Sequence, residues 1–300
     1  MEPTSYSDPK TLGSLQHLKL RTEAILESLQ KGQHLNPRPG YSIEFAQHRE
    51  YTAGDDLRYL DWKAFARSDR LYVKQFQDET ALTCYLAIDN SRSMSFQGPQ
   101  SSGSKYDFAA LMASCLAWLV VQQRDAVGLS LLGGPSSKPL LPSDDPRQWN
   151  QVVELLQQGK PGPHDETWIR ALGQVGSEIQ RRGVLFLISD WFDELEGLGA
   201  ILRRFRESLK LDVRVIQVLD PEELQPTLQG MVQLQDLEDG GRIKVQADQV
   251  RQAYAEELEH FLSDFRRLCH RFGARYVMAR TDESMTSVLQ HALQPTGESR

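Results

Sequence analysis

From residue 82 onward, short runs of consecutive apolar residues alternate with longer stretches of helical periodicity. The runs TCYLAI, AVGLSLL, VLFLIS, VRVIQVL and ARYVMA are apolar on nearly every residue, so neither face of such a strand can meet water. The segments between them, among them YDFAALMASCLAWLVVQQ and ETWIRALGQVGSEIQRRG, read as helices. Strands that need cover on both sides, alternating with helices that supply it, predict an α/β fold: a doubly wound, mostly parallel sheet. In such sheets ligands bind beyond the carboxyl ends of the strands, near the point where strand order reverses.

The first 80 residues follow a different pattern. Residues 10–31 predict an amphipathic helix that Gly32 ends, and NPRPG then breaks the chain. Residues 41–80 mix aromatic and charged side chains, and LYVKQF alternates as a half-buried strand does. The expected organisation is a small N-terminal helix plus β-rich appendage over 1–80, the sheet domain over 81–295, and a disordered tail over 296–300. Within the sheet domain, EDGGR between two alternating runs predicts a hairpin over 231–246.

A formal charge of -7 argues against a generally basic, nucleic-acid-binding surface. The N-terminus has no apolar core of signal-peptide length, and FAALMASCLAWLVV is too short to span a bilayer. Cys84, Cys115 and Cys269 lie far apart in apolar or amphipathic settings, the pattern of reduced core thiols. The expectation is a cytoplasmic protein with no membrane span and no nucleic-acid partner.

The end of the first strand, AIDNSRSM, is where chemistry concentrates. Asp89, Ser91 and Ser93 are short polar side chains at alternate positions. A phosphate loop is not met nearby: in GPQSSGSK, Ser104 separates Gly103 from Lys105, and Tyr106 follows where Ser or Thr is required. An aspartyl nucleophile of the haloacid-dehalogenase type needs a second Asp two residues on, where Ser91 stands and cannot transfer the proton. No G-x-S-x-G elbow or strand-end Ser–His pair supports a serine nucleophile.

A metal reading remains. Hard divalent cations take oxygen ligands, and one carboxylate with two hydroxyls from one loop can occupy a side of an octahedron. Two further positions support it: Thr167, where a loop enters a helix, and Asp190, which ends a later buried strand as Asp89 ends the first. Taken singly, Ser91 or Thr167 reads as a helix cap, and Asp190 could cap a helix starting near Glu194. The order and placement of all five favour the metal. A hydroxyl-rich set leaves the cation under-neutralised and seeking an anionic oxygen from a partner, and no strong base stands by to activate water.

These residues resemble a known arrangement. DNSRSM, Thr167 and Asp190 look like the metal-ion-dependent adhesion site of von Willebrand factor type A domains. Upstream, EFAQHREYTAGDDLRYLDWKAFARSDRLYVKQFQDE resembles the signature of the bacterial family called domain of unknown function 58 (DUF58). The resemblance implies a Rossmann-like, von Willebrand type A-like sheet with a magnesium site (manganese or calcium as alternatives). By motif position Asp89, Ser91, Ser93, Thr167 and Asp190 would hold the ion, Asp89 through water and the serines directly. It further implies a non-enzymatic, metal-dependent protein–protein interaction module. Its partners would be a MoxR-type AAA+ ATPase and an acidic-residue-bearing client, in chaperone-like assembly or maturation. The alternative is a metal-dependent phosphohydrolase using Asp89 as nucleophile. One departure stands out: many adhesion sites have Gly after the last Asp, whereas here Trp191 follows Asp190. The signature residues Arg49, Glu50, Asp55, Asp56, Arg58, Asp61, Arg67 and Asp69, interleaved with Tyr51, Tyr59, Trp62 and Phe65, admit three roles: a solvated face, an ion-pair network, or a partner surface.

Overall fold

The computed structural model describes residues 18–27, 45–50, 72–76, 82–133, 138–162, 168–192, 195–227, 230–235 and 242–294. In chain order, residues 18–27 are helical (α1), and Phe45–Glu50 (β1) and Tyr72–Phe76 (β2) form an antiparallel ladder. Then follow Thr83–Asp89 (β3), Lys105–Gln122 (α2), Ala126–Leu132 (β4), Leu140–Ser143 (β5), Gln148–Gln158 (α3) and Trp168–Glu178 (α4). Gly183–Ser189 (β6), Leu198–Arg203 (α5), Asp212–Leu219 (β7) and the single turn Pro221–Leu224 (α6) come next. Met231–Gln235 (β8) and Arg242–Gln246 (β9) precede Ala247–Arg271 (α7), Arg275–Arg280 (β10) and Met285–Leu293 (α8).

Six strands form the main sheet in the order β10-β7-β6-β3-β4-β5, parallel throughout except for β5. The α/β, doubly wound, mostly parallel architecture expected from the sequence is therefore present. Counted within the sheet, it is the 3-2-1-4-5-6 order, and winding reverses between β3 and β6. The strand register explains the continuous apolar runs. Leu86, Ile88, Ile216 and Val218 face a core built with α2, α3 and α8, while Ala87, Leu185, Leu187, Val213 and Val215 face the core built with α4, α5 and α7. Every residue of β3 is buried.

Several elements depart from the expectation. The four-residue edge strand β5 carries Pro142, and its pairing with β4 is irregular. Proline cannot donate to a ladder and is tolerated only where one side is free, which is why LLPS does not read as a strand. The helix expected to start near Glu194 begins at Leu198, after Gly197 in the left-handed region, and passes into a π turn over Arg204–Ser208. The expected 231–246 hairpin forms as β8 and β9.

Clustering of contacts divides the chain into two units, one of residues 30–81 and one combining 1–29 with 82–300. Within the second unit, α1 buries Leu26 (3% exposed), and Thr22 donates to the Ser114 hydroxyl on α2 at 3.0 Å. The described part of the N-terminal helix thus goes with the sheet, not with the β-rich segment of the expected 1–80 unit, because its apolar stripe is covered by α2. Among the described residues no helix is long and apolar enough to cross a membrane. The tail 296–300 and signature residues 51–71 lie outside the described residues.

Candidate cation site at the strand ends

β3 ends on Asp89, which is 4% exposed. Its Oδ1 accepts from the Ser91 backbone N–H at 2.8 Å and its Oδ2 from the Ser189 hydroxyl at 2.6 Å. Ser91 opens a short 3₁₀ turn, Arg92–Ser95, which folds the chain back so that the Ser91 and Ser93 hydroxyls stand 3.0 Å apart. The loop is pinned from both sides. The Asn90 N–H donates to the Leu132 carbonyl at 2.6 Å, and the Asn90 carbonyl accepts from the Gly162 N–H at 3.1 Å. The alternation of Asp89, Ser91 and Ser93 is therefore realised as one polar edge beside the switch point.

Asp190 follows β6 directly and is 3% exposed. It does not cap the next helix, which begins only at Leu198. Its Oδ1 accepts from the Phe192 N–H at 3.3 Å, and its backbone carbonyl from Gln217 Nε2 at 2.9 Å. Oδ2 is held by Lys105 Nζ at 2.8 Å, and the same ammonium reaches Glu223 Oε1 at 2.5 Å. Lys105 is the first residue of α2. A capping box sets it there: Ser104 Oγ accepts from the Asp107 N–H at 3.1 Å, and the Asp107 carboxylate accepts from the Ser104 N–H at 2.9 Å. Thr167 lies outside the described residues.

The electrostatics follow from this geometry. Burial pushes the Asp89 carboxyl up to about 7, and the neighbouring Asp190 carboxylate adds to the effect; the hydrogen bonds from Ser189 and Ser91 only partly offset it. Burial alone would discharge Lys105, but Asp190 and Glu223 more than offset that and hold its ammonium above the ordinary value. Glu223 is raised by burial against the pull of Lys105.

A second polar cluster braces the loop that carries Lys105. Asp220, fully buried at the end of β7, accepts from the Gly98 N–H at 3.0 Å, the Ser101 hydroxyl at 2.6 Å, the Thr281 hydroxyl at 3.1 Å and the Glu222 N–H at 2.9 Å. A Cβ on Gly98 would lie 2.1 Å from Asp220 Oδ1, so only glycine allows this approach. Glu223 Oε2 accepts from the Asp220 N–H at 2.8 Å, joining the two clusters.

Trp191 accounts for the departure from Asp-Gly. Its φ is 60°, the left-handed region that glycine enters freely and other residues rarely do. The indole is 2% exposed, edge-on to Trp168 (5.5 Å, 84°) and tilted against Phe265 (5.3 Å, 35°), with its N–H donating to the Ile216 carbonyl at 3.2 Å. The glycine-like conformation is retained, and packing holds it.

Do these residues suit a divalent cation? Among the described residues no three His, Cys, Asp or Glu side chains are gathered as ligands, so an ion here must use hydroxyls. Asp89 with Ser91 and Ser93 is an all-oxygen set whose carboxylate is short of positive charge, which suits a hard ion such as magnesium. Asn90, between them, is 2% exposed, and its Oδ1 finds no hydrogen-bond donor among the described residues. Asp190 fits less well, because an ammonium already occupies one of its oxygens. The structure has Asp89, Ser91 and Ser93 at and just after the end of β3, and Asp190 just after β6, where the sequence placed them. The sequence reading missed Ser189, Glu223 and Asp220, and weighed Lys105 only as part of an unmet phosphate loop. Asp220 and Glu223 stand in LDPEEL at the end of β7, where acids beyond a third buried strand were a signal.

The profile of a family described as "Protein of unknown function DUF58" matches residues 47–261. Uncharacterized proteins of Mycobacterium bovis and Mycobacterium tuberculosis are 27% identical over 283 residues, which is 92% of this chain and 86% of theirs. Among solved structures, the conserved hypothetical protein BatB from Bacteroides thetaiotaomicron gives a TM-score of 0.45 at 16% identity, over 70% of this chain and 96% of that one. The VWA domain of SpRpn10 gives 0.39 at 12% identity, over 74% and 99%. The doubly wound assignment rests on the strand ladder itself.

Proposed function

The chain belongs to the family described as protein of unknown function DUF58, and we propose that it is a non-enzymatic module that captures a protein partner through a divalent cation at the ends of β3 and β6. The observation that carries this reading is the buried Asp89 carboxylate, raised to about 7 beside the touching hydroxyls of Ser91 and Ser93. Asp89, Ser91 and Ser93 would hold the ion, with Thr167 as a further ligand and magnesium as the first choice. When bound, the ion supplies a Lewis-acidic position open to a partner's carboxylate. The chain's own residues do the rest. Ser189 and the Ser91 N–H orient Asp89, the 3₁₀ turn fixes the hydroxyls, and the Asp220 cluster braces the loop behind α2.

The phosphohydrolase alternative needs an acid beside Asp89. The neighbouring carboxylate, Asp190, is ion-paired to Lys105, and Ser91 occupies the position an acid would need, which supports the non-enzymatic reading. The partner in this reading is a MoxR-type AAA+ ATPase together with a client bearing an exposed acidic residue, in the cytoplasm.

Isothermal titration of wild type and Asp89→Ala with magnesium and manganese tests the ion. Binding by the wild type that is lost in the variant is the expected result, and a wild type that takes neither ion overturns it. Retention of a purified MoxR-type ATPase should fall when EDTA replaces magnesium, and indifference to EDTA would make the site vestigial. Phosphatase turnover that vanishes in Asp89→Asn would overturn the non-enzymatic assignment.

A further inference from the structure

We propose that Lys105 is a tethered cation that withholds Asp190 from the divalent ion, leaving Asp89, Ser91 and Ser93 to hold the ion weakly and exchangeably. This rests on the cation site proposed above and concerns which residues set its affinity. Lys105 is 1% exposed, and its ammonium lies 2.8 Å from Asp190 Oδ2 and 2.5 Å from Glu223 Oε1. The rings of Phe96 and Phe192 flank the ammonium at 5.7 and 5.4 Å.

It cannot readily swing away. The Lys105 N–H donates to the Phe96 carbonyl at 3.0 Å, the capping box fixes the helix start, and Glu223 is itself fixed by the Asp220 N–H. A buried ammonium paired to two carboxylates leaves an uncompensated buried charge if either side departs, so the pairing resists exchange with a hydrated ion.

Charge balance points the same way. Asp89, Asp190 and Glu223 with Lys105 carry two net negative charges when all are ionised, which one divalent cation neutralises. Without the lysine the deficit is three, and Asp190 is free to ligate. Lys105 thereby sets affinity without touching the ion.

A mutant cycle read as manganese affinity, by titration calorimetry and by electron paramagnetic resonance of free manganese, tests this. Asp190→Asn in the wild-type background should change the dissociation constant less than about threefold. Lys105→Met should tighten binding by about tenfold or more, because it frees Asp190 to add a carboxylate ligand. Lys105→Met/Asp190→Asn should lose that gain. Where Lys105→Met fails to fold by circular dichroism, Lys105→Met/Glu223→Gln removes ammonium and one carboxylate together, and the same tightening is expected. Weakening of more than tenfold by Asp190→Asn alone would make Asp190 a ligand and overturn the proposal, as would unchanged affinity on removal of the lysine. If the wild type binds no manganese but the lysine variant does, the cation-site reading and the weak binding by Asp89, Ser91 and Ser93 fail, while the withholding of Asp190 stands. If neither binds, both fail.

Discussion

Replacing Trp191 separates two opposing energies at one residue. The indole is 2% exposed between Trp168 and Phe265, so truncation to alanine removes a core anchor and should cost about 3–5 kcal/mol. The backbone acts in the other direction. At φ 60° an L-residue carries a penalty of about 1–2 kcal/mol that glycine escapes. At ordinary backbone positions glycine is worse than alanine by roughly 0.5–1 kcal/mol through its unfolded-state entropy. Here the left-handed penalty outweighs that term, and Trp191→Gly should be more stable than Trp191→Ala by roughly 0.5–1 kcal/mol, with both well below the wild type. Urea unfolding followed by far-ultraviolet circular dichroism, with all three proteins in EDTA, measures the order. Alanine at least as stable as glycine would refute the claim that the position is held in a glycine conformation by packing.

Three more outcomes are expected. In EDTA, Asp89 contributes a fall in stability as pH rises: its folded value of about 7 exceeds the ordinary 3.8, so the native state keeps a proton that the unfolded state releases between those values. Asp89→Asn should flatten that slope in urea midpoints taken from pH 4 to 8, and an unchanged slope would refute the assignment. Gly98→Ala should destabilise by about 1–3 kcal/mol, because the added methyl displaces the loop from Asp220 and strands a buried carboxylate; a thermal midpoint matching the wild type would contradict it. Cys84, Cys115 and Cys269 are buried, and burial pushes each thiol up to about 12, so Ellman's reagent at pH 8 should find no reactive thiol in the native protein and three in urea.

Much of this was legible in the sequence because the decisive signals were local. A continuous apolar run marks a doubly covered strand, and the polar residue that ends it marks the sheet's carboxyl edge, so Asp89 and Asp190 were found from their own neighbours. Lys105 was not, because its meaning depends on Asp190 and Glu223, 85 and 118 residues away. β5 escaped notice because Pro142 is an edge-strand exception. The left-handed backbone at Trp191 was invisible because tryptophan does not advertise it; the clue was the position, where many of the adhesion sites that the motif resembles carry glycine.

The Asp220 cluster also has a consequence for when this protein first becomes competent. Ser101 shares its hydroxyl with Asp220 and with Thr281, a partner 180 residues further along. A ribosome delivers the chain from its N-terminus at roughly 5–20 residues per second. The loop that seats Lys105 therefore emerges many seconds before the residue that completes its brace. Until β10 docks, a nascent or truncated chain can present Asp89 and its serines only on an unbraced loop. In the proposed reading, capture of a partner waits until the chain has been synthesised past Thr281.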